Sequence, residues 1–214
     1  MATTYEAARN VQQTEIMGMP GPADPAPLGL AAFALTTFLL SLANAGLLSG
    51  GGNEWLGYAF AYGGLCQLLA GMREFRNRNV FGATAFSTYG GFWIGLGLYI
   101  ELVAPLKGEN VANDLAWILV AFFIFNTYML LWSVFVNKAV LAVFFTLEIT
   151  ELVLFIGNFS ASSGLIKLGG AIGIVTAACA WYTSAAGVVN GMAGRHILPV
   201  GKPMSFPAAR RAIG

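Results

Sequence analysis

Two glutamates one helical turn apart, Glu148 and Glu151, sit in the middle of an apolar run that reaches from Ala139 to Gly157. On insertion scales a carboxylate at mid-helix costs about 2.5 to 3.5 kcal/mol, and each Leu, Ile, Phe or Val returns only about 0.3 to 0.6 kcal/mol. Two such charges nearly cancel the run's affinity for lipid, so the pair must face protein or water. At about 100° per residue, Phe144, Leu147, Glu148, Glu151 and Phe155 share one arc of a helix. Two chemistries fit that arc. One is a proton-titrating or water-ordering site beside an aromatic gate; the other is a protonated or hydrogen-bonded pair that only ties helices together.

Other polar residues inside apolar runs fall into stripes. Phe33, Thr37, Leu40 and Asn44 recur at steps of four, three and four, and Thr176, Ala180, Thr183, Gly187 and Asn190 form a second row. Tyr89 and Trp93 share one face of another run, and Gln67 is flanked at four-residue spacing by Gly63 and Gly71. A single Thr in a membrane helix commonly satisfies its own backbone. Two aligned polar stripes point further, to a water-accessible pathway between helices.

The elements that must position these residues are long apolar helices. Apolar residues make up 57% and charged residues 10% of the 214, far from the roughly 25% charge of a soluble domain. Windows of about 20 residues mark runs at Leu28–Leu48, Trp55–Met72, Thr84–Ala104, Leu115–Val136, Ala139–Gly157 and Leu168–Gly191. The expected fold is an all-α integral membrane protein with six transmembrane helices over residues 24–192. Residues 1–23 read as a disordered tail and 193–214 as a cytoplasmic C-terminal tail. Nine Lys and Arg (Arg9, Arg73, Arg76, Arg78, Lys138, Arg195, Lys202, Arg210 and Arg211) fall on the side of both termini, against Lys107 and Lys167 opposite. That bias predicts both termini in the cytoplasm. The cluster Arg73, Glu74, Arg76 and Arg78 reads as a solvated loop.

Enzyme chemistry has little to work with. The chain has one His, His196, outside the runs, and no clustered metal ligands, phosphate loop or nucleophile elbow. Cys66 and Cys179 lie within runs and read as core residues. Gly91 and Gly95, Gly169 and Gly173, and Gly187 and Gly191 are each four apart, a spacing that lets helices approach closely.

The seven residues Asp24-Pro25-Ala26-Pro27-Leu28-Gly29-Leu30 open the first run with two prolines and a glycine, and fix how a helix begins there. They resemble the signature heptapeptide, usually begun by Asn, of the acetate uptake transporter family, which includes bacterial succinate-acetate permeases and fungal acetate and ammonia-export-associated membrane proteins. The resemblance continues through Phe33 to Thr37, Tyr62 to Gln67, Ala70-Gly71, Asn79 to Trp93, Gly157-Asn158, Gly194-Arg195 and Leu198-Pro199. It covers nearly everything from Asp24 to Gly201.

The resemblance implies a hexamer of six-helix protomers in the plasma membrane, each with its own pathway for acetate and other short carboxylates, succinate included. It implies a hydrophobic constriction at Phe33, Tyr89 and Leu147 and a substrate-choice position at Ala180. Thr37, Asn44, Gln67, Thr84, Thr88, Trp93, Asn126 and Thr183 are the candidates to line the pathway and replace the anion's water. The expected partners are small carboxylates, the bilayer and copies of the chain, with no nucleic acid and no cofactor. Asp24, standing where the family mostly has Asn, reads as a helix cap rather than a substrate contact. Glu148 and Glu151 are the candidate proton site. Transport of ammonium or another small solute, and a non-transporting sensor or scaffold, are the alternatives.

Overall fold

The structure is a computed structural model and describes residues 23–49 and 52–205. The expectation of a disordered tail therefore falls, for residues 1–22, outside the described residues. All regular structure among the described residues is helical.

Helix α1, Ala26–Ala45, starts where Asp24 Oδ1 accepts the Ala26 N–H at 2.9 Å. Pro25 and Pro27 have no N–H to offer, so little donor capacity is left at this helix start for an anion. The N-cap position itself is Pro25, which has no side-chain cap, so the Asp24 bond is a turn that leads into the helix. The helix stops at Gly46, whose φ of 73° lies in the left-handed region that only glycine enters freely, and Leu47 N bonds back to Leu42 O at 3.0 Å.

Helix α2 covers residues 56–76 without a break: Leu56–Phe60, a π-helical stretch Ala61–Cys66, then Gln67–Arg76. It overturns one expectation. Arg73, Glu74 and Arg76 belong to this helix and not to a solvated loop, and Glu74 is only 1% exposed. The reason lies in its surroundings: the Glu74 carboxyl and the Asn79 side chain both pack against Gly82, where a methyl group could not fit.

Helix α3, Val80–Leu98, begins at Asn79, whose Oδ1 takes the Gly82 N–H at 3.0 Å. It runs on as a wide turn, Tyr99–Val103, until Pro105 ends the ladder. Then follow α4, Val111–Ser133, α5, Lys138–Phe159, and α6, Ser163–Ala193. Asn137 and Ser162 cap α5 and α6 through Val140 N and Leu165 N.

Among the described residues five stretches are long and apolar enough to cross a membrane; α2, which carries Arg73, Glu74 and Arg76, falls outside that set. The chain is a multi-pass membrane protein. Its outward faces are apolar, with Leu131 63% and Ile124 62% exposed, as a lipid-facing surface requires. Within the bundle α1 packs along α6, α6 on α5, α5 on α4, and α2 on α3. Close approach depends on glycine: a Cβ on Gly90 of α3 would lie 2.7 Å from Leu68 N of α2. Beyond Gly194 the chain folds back, and Val200 O and Met204 N bond Ala139 N and Val134 O. Asn190 holds this return segment through Ile197 N, Leu198 N and Leu198 O. Asn190, a member of the second polar stripe, is thus occupied by the chain's own backbone.

Candidate functional site

Helices α1, α3 and α5 carry the same rhythm. Starting from Ala26, Gly82 and Val140 respectively, inward residues recur at steps of four, three, four, three and four. The first three tiers, ending in Phe33, Tyr89 and Leu147, line one cavity of about 70 Å³ together with Gln67 of α2. The last two, Leu40 with Leu96 and Leu154, then Asn44 with Ile100 and Asn158, line a second cavity of about 200 Å³. The three helices therefore run in the same direction and keep level with one another.

Phe33, Tyr89 and Leu147 form the level that closes the first cavity. They belong to one buried cluster with Ala34, Ala85, Phe125, Met129, Val143, Phe144 and Ala180, and Ala180 is fully buried. The Tyr89 ring is caged by Phe33 at 5.5 Å, Phe125 at 5.4 Å and Phe122 at 5.9 Å between centroids. Phe33, Tyr89 and Leu147 are 5%, 3% and 7% exposed.

One turn farther, about 6 Å along each helix, stand Thr37, Trp93 and Glu151. They are 6%, 2% and 4% exposed, and Thr37 Oγ1, Trp93 Nε1 and Glu151 Oε2 have no hydrogen-bond partner. Gln67 Oε1, against the first cavity, is unpartnered as well. A buried polar atom left unpaired costs about 1 to 3 kcal/mol. Three on one level between two cavities are what a pathway requires, because water or a solute supplies the missing bonds in transit.

Glu148 takes a different place from Glu151. It turns toward α4, where Asn126 Nδ2 donates to its Oε2 at 2.5 Å and Thr127 Oγ1 lies 2.6 Å from its Oε1. The same Asn126 amide donates to Phe144 O, and its Oδ1 accepts the Tyr89 hydroxyl at 3.0 Å. Thr127 has one hydroxyl hydrogen for two acceptors, Phe123 O and Glu148 Oε1. Phe155, grouped with the Glu face by helical phase, packs instead on Phe123 and Phe159.

The remaining candidates divide. Asn44 lines the second cavity and Thr183 a third, of about 220 Å³, with Asp24, Asn79 and Asn137. Thr183 also donates to Cys179 O, and Thr150 pairs with Thr176 at 3.1 Å. Pro27 lines this third cavity too, whereas Leu28 is 45% exposed and Gly29 presses on the Phe86 ring. Thr84 and Thr88 are half-buried and line neither of the first two cavities. Asn158, which the sequence offers only as part of the Gly157-Asn158 motif and not as a pathway residue, continues the step of four, three and four from Leu147.

A family model described as the GPR1/FUN34/yaaH family matches residues 12–202. The chain is 39% identical over 195 residues to acetate permease A of Emericella nidulans, covering 83% of this chain and 65% of that protein. It is 39% identical over 177 residues to ammonia transport outward protein 2 of Saccharomyces cerevisiae, covering 78% of this chain and 62% of that one. It is 35% identical over 196 residues to the succinate-acetate/proton symporter SatP of Escherichia coli K12, covering 87% of this chain and 99% of the symporter. The chain thus spans less than two thirds of these two fungal relatives and nearly all of the bacterial one. The solved structure of the bacterial acetate channel SatP aligns with a TM-score of 0.77 at 36% identity, over 84% of this chain and 99% of that one.

Proposed function

Because the chain belongs to the GPR1/FUN34/yaaH family, we propose that it carries acetate and other short-chain carboxylates, succinate among them, across the cell membrane. The observation that carries this reading is the pair of cavities separated by the apolar level at Phe33, Tyr89 and Leu147 and the level of Thr37, Trp93 and Glu151 next to it. The names of the relatives point to transport rather than catalysis.

The physical route is direct. A short carboxylic acid has a pKa near that of a Glu side chain, about 4.3, and is mostly anionic at neutral pH. An anion cannot enter hydrocarbon without replacement for its water. Gln67 before the ring, Thr37 and Trp93 after it, and Asn44 beyond supply amide, hydroxyl and indole groups along the way. The ring admits a two-carbon acid and gates by dewetting when empty.

In the proposed assembly all six helices span the membrane, both termini are cytoplasmic, and six protomers each keep a pathway. The third cavity, with Asp24, Asn79 and Asn137, is then the cytoplasmic mouth. Support for the topology comes from the charge bias of the sequence. Support for oligomerisation comes from Gly91 and Gly95, which have nothing within 4 Å and leave a smooth outward face on α3. One experiment tests the reading: labelled acetate flux into proteoliposomes above that of protein-free vesicles, with membrane potential and proton gradient imposed separately. Ammonium flux without acetate flux would instead favour the function named in the yeast relative.

A further inference from the structure

We propose that Thr37, Trp93 and Glu151 form a single binding site for a carboxylate together with one proton, placed just beyond the apolar ring. The inference rests on the transport reading above and assigns the proton to one side chain.

The geometry leads there in three steps. First, the three residues stand at the same level of three helices that keep register, between the side chains that line the two cavities. Second, each presents an unpartnered polar atom while being more than nine-tenths buried. Third, their chemistry is complementary to a carboxylate in one protonation state only. The indole N–H donates, the Thr hydroxyl donates, and a carboxyl group donates when it holds a proton. Three donors then surround two carboxylate oxygens. Without that proton the carboxylate of Glu151 repels the solute.

The other titratable groups near Glu151 are Tyr89 of α3, whose hydroxyl donates to Asn126, and Glu148 on its own helix. From α1 and α2, Thr37 and Gln67 face the level, and neither titrates. From α6 comes Thr176, which Thr150 already engages. Glu148 is held by Asn126 and Thr127 and is not free to reach the solute. Glu151 is therefore the carrier. It takes a proton from the aqueous phase that supplies the anion, binds the anion through that O–H, and gives the proton up on the far side as the anion leaves. Charge balances: one negative solute and one positive proton cross together, and no net charge moves.

The test is acetate binding to the purified full chain by calorimetry, repeated in buffers of different ionisation enthalpy at steps from about pH 5 to 9, so that the heat counts protons taken up per acetate. For the parent the count should rise toward one within that range, where the free site lacks its proton and the occupied site holds it. Glu151→Gln places a permanent donor at the site, so binding should persist with a count near zero and lose its pH dependence. Thr37→Val and Trp93→Phe should each weaken binding about tenfold or more with the count unchanged. A parent count of zero at every pH overturns the proposal, and so does a Glu151→Gln count that still rises to one, since the proton then travels on the acid itself. Should Glu151→Gln not assemble, the parent count and the two donor deletions still decide. Absence of acetate flux in proteoliposomes defeats the transport reading, whereas flux with no proton count defeats only this site.

Discussion

The rings of Phe33 and Tyr89 meet edge to face, 5.5 Å apart and inclined by 64°. Two aromatic side chains from different helices thus make most of the ring's wall, and Leu147 completes it from α5. Shortening Leu147 to Ala should widen the opening without disturbing that aromatic contact. The flux of lactate or propionate relative to acetate should rise several-fold. The protomer should lose about 2 to 5 kcal/mol of stability, the usual range for removing a buried leucine. Unchanged acetate-to-lactate selectivity would sink the size-filter account.

Tyr89 is held in place from outside the pathway, through Asn126 and then Glu148. Glu148→Gln can keep both bonds, with its amide donating to Thr127 and its oxygen accepting from Asn126. Glu148→Leu cannot, and it leaves Asn126 Nδ2 short of an acceptor. Selectivity between acetate and butyrate should therefore survive the first substitution and drop several-fold in the second. Equal behaviour of the two variants in a flux competition would show that the bond chain does not hold the ring.

Glu74 lies beyond the apolar run of α2. Burial raises its pKa first; the nearby Asn79 amide works against this, and the Asp24 carboxylate adds to it. A folded-state pKa above the ordinary carboxyl value means that the native protein holds this proton more tightly than the unfolded chain. The stabilisation is full below that unfolded value and is lost as pH rises through the folded one. Thermal unfolding in detergent, scanned upward from about pH 4, should show that loss. Glu74→Gln should remove the Glu74 share of it, and Asp24→Asn should shift it to lower pH.

Neighbouring glycines on α3 should behave oppositely. Gly90→Ala forces a methyl against the α2 backbone at Leu68 and should cost about 1 to 3 kcal/mol. Gly91→Ala meets nothing within 4 Å, and the protomer should gain about 0.5 to 1 kcal/mol from helix propensity. Denaturation midpoints of the two variants, compared in the same detergent, check both.

Much of this was legible in the sequence, and the reasons differ by residue. Apolar run length marked all six helices, and helical phase placed Phe33, Thr37, Leu40 and Asn44 on one face, where the structure has them. The level shared by Thr37, Trp93 and Glu151 was not legible, because phase within one helix says nothing about the height of another. Glu148 and Glu151 looked like one pair; only the position of α4 separates them, by offering Asn126 and Thr127 to the first alone. Glu74 was misplaced because three charges in four residues resemble a loop until Asn79 and Gly82 supply a pocket for the carboxyl.

The wide turn Ala61–Cys66 in α2 has its own consequence. Trp55, Ala59, Gly63 and Gln67 all point inward, a spacing of four that an ordinary helix does not sustain. At 3.6 residues per turn each such step drifts by about 40°, so Gln67 would end about 120° from Trp55, toward the lipid. The loosened coil absorbs that drift. A helical wheel drawn through the whole of α2 is therefore out of phase with the molecule, and the amide beside the first cavity owes its orientation to a local change of pitch.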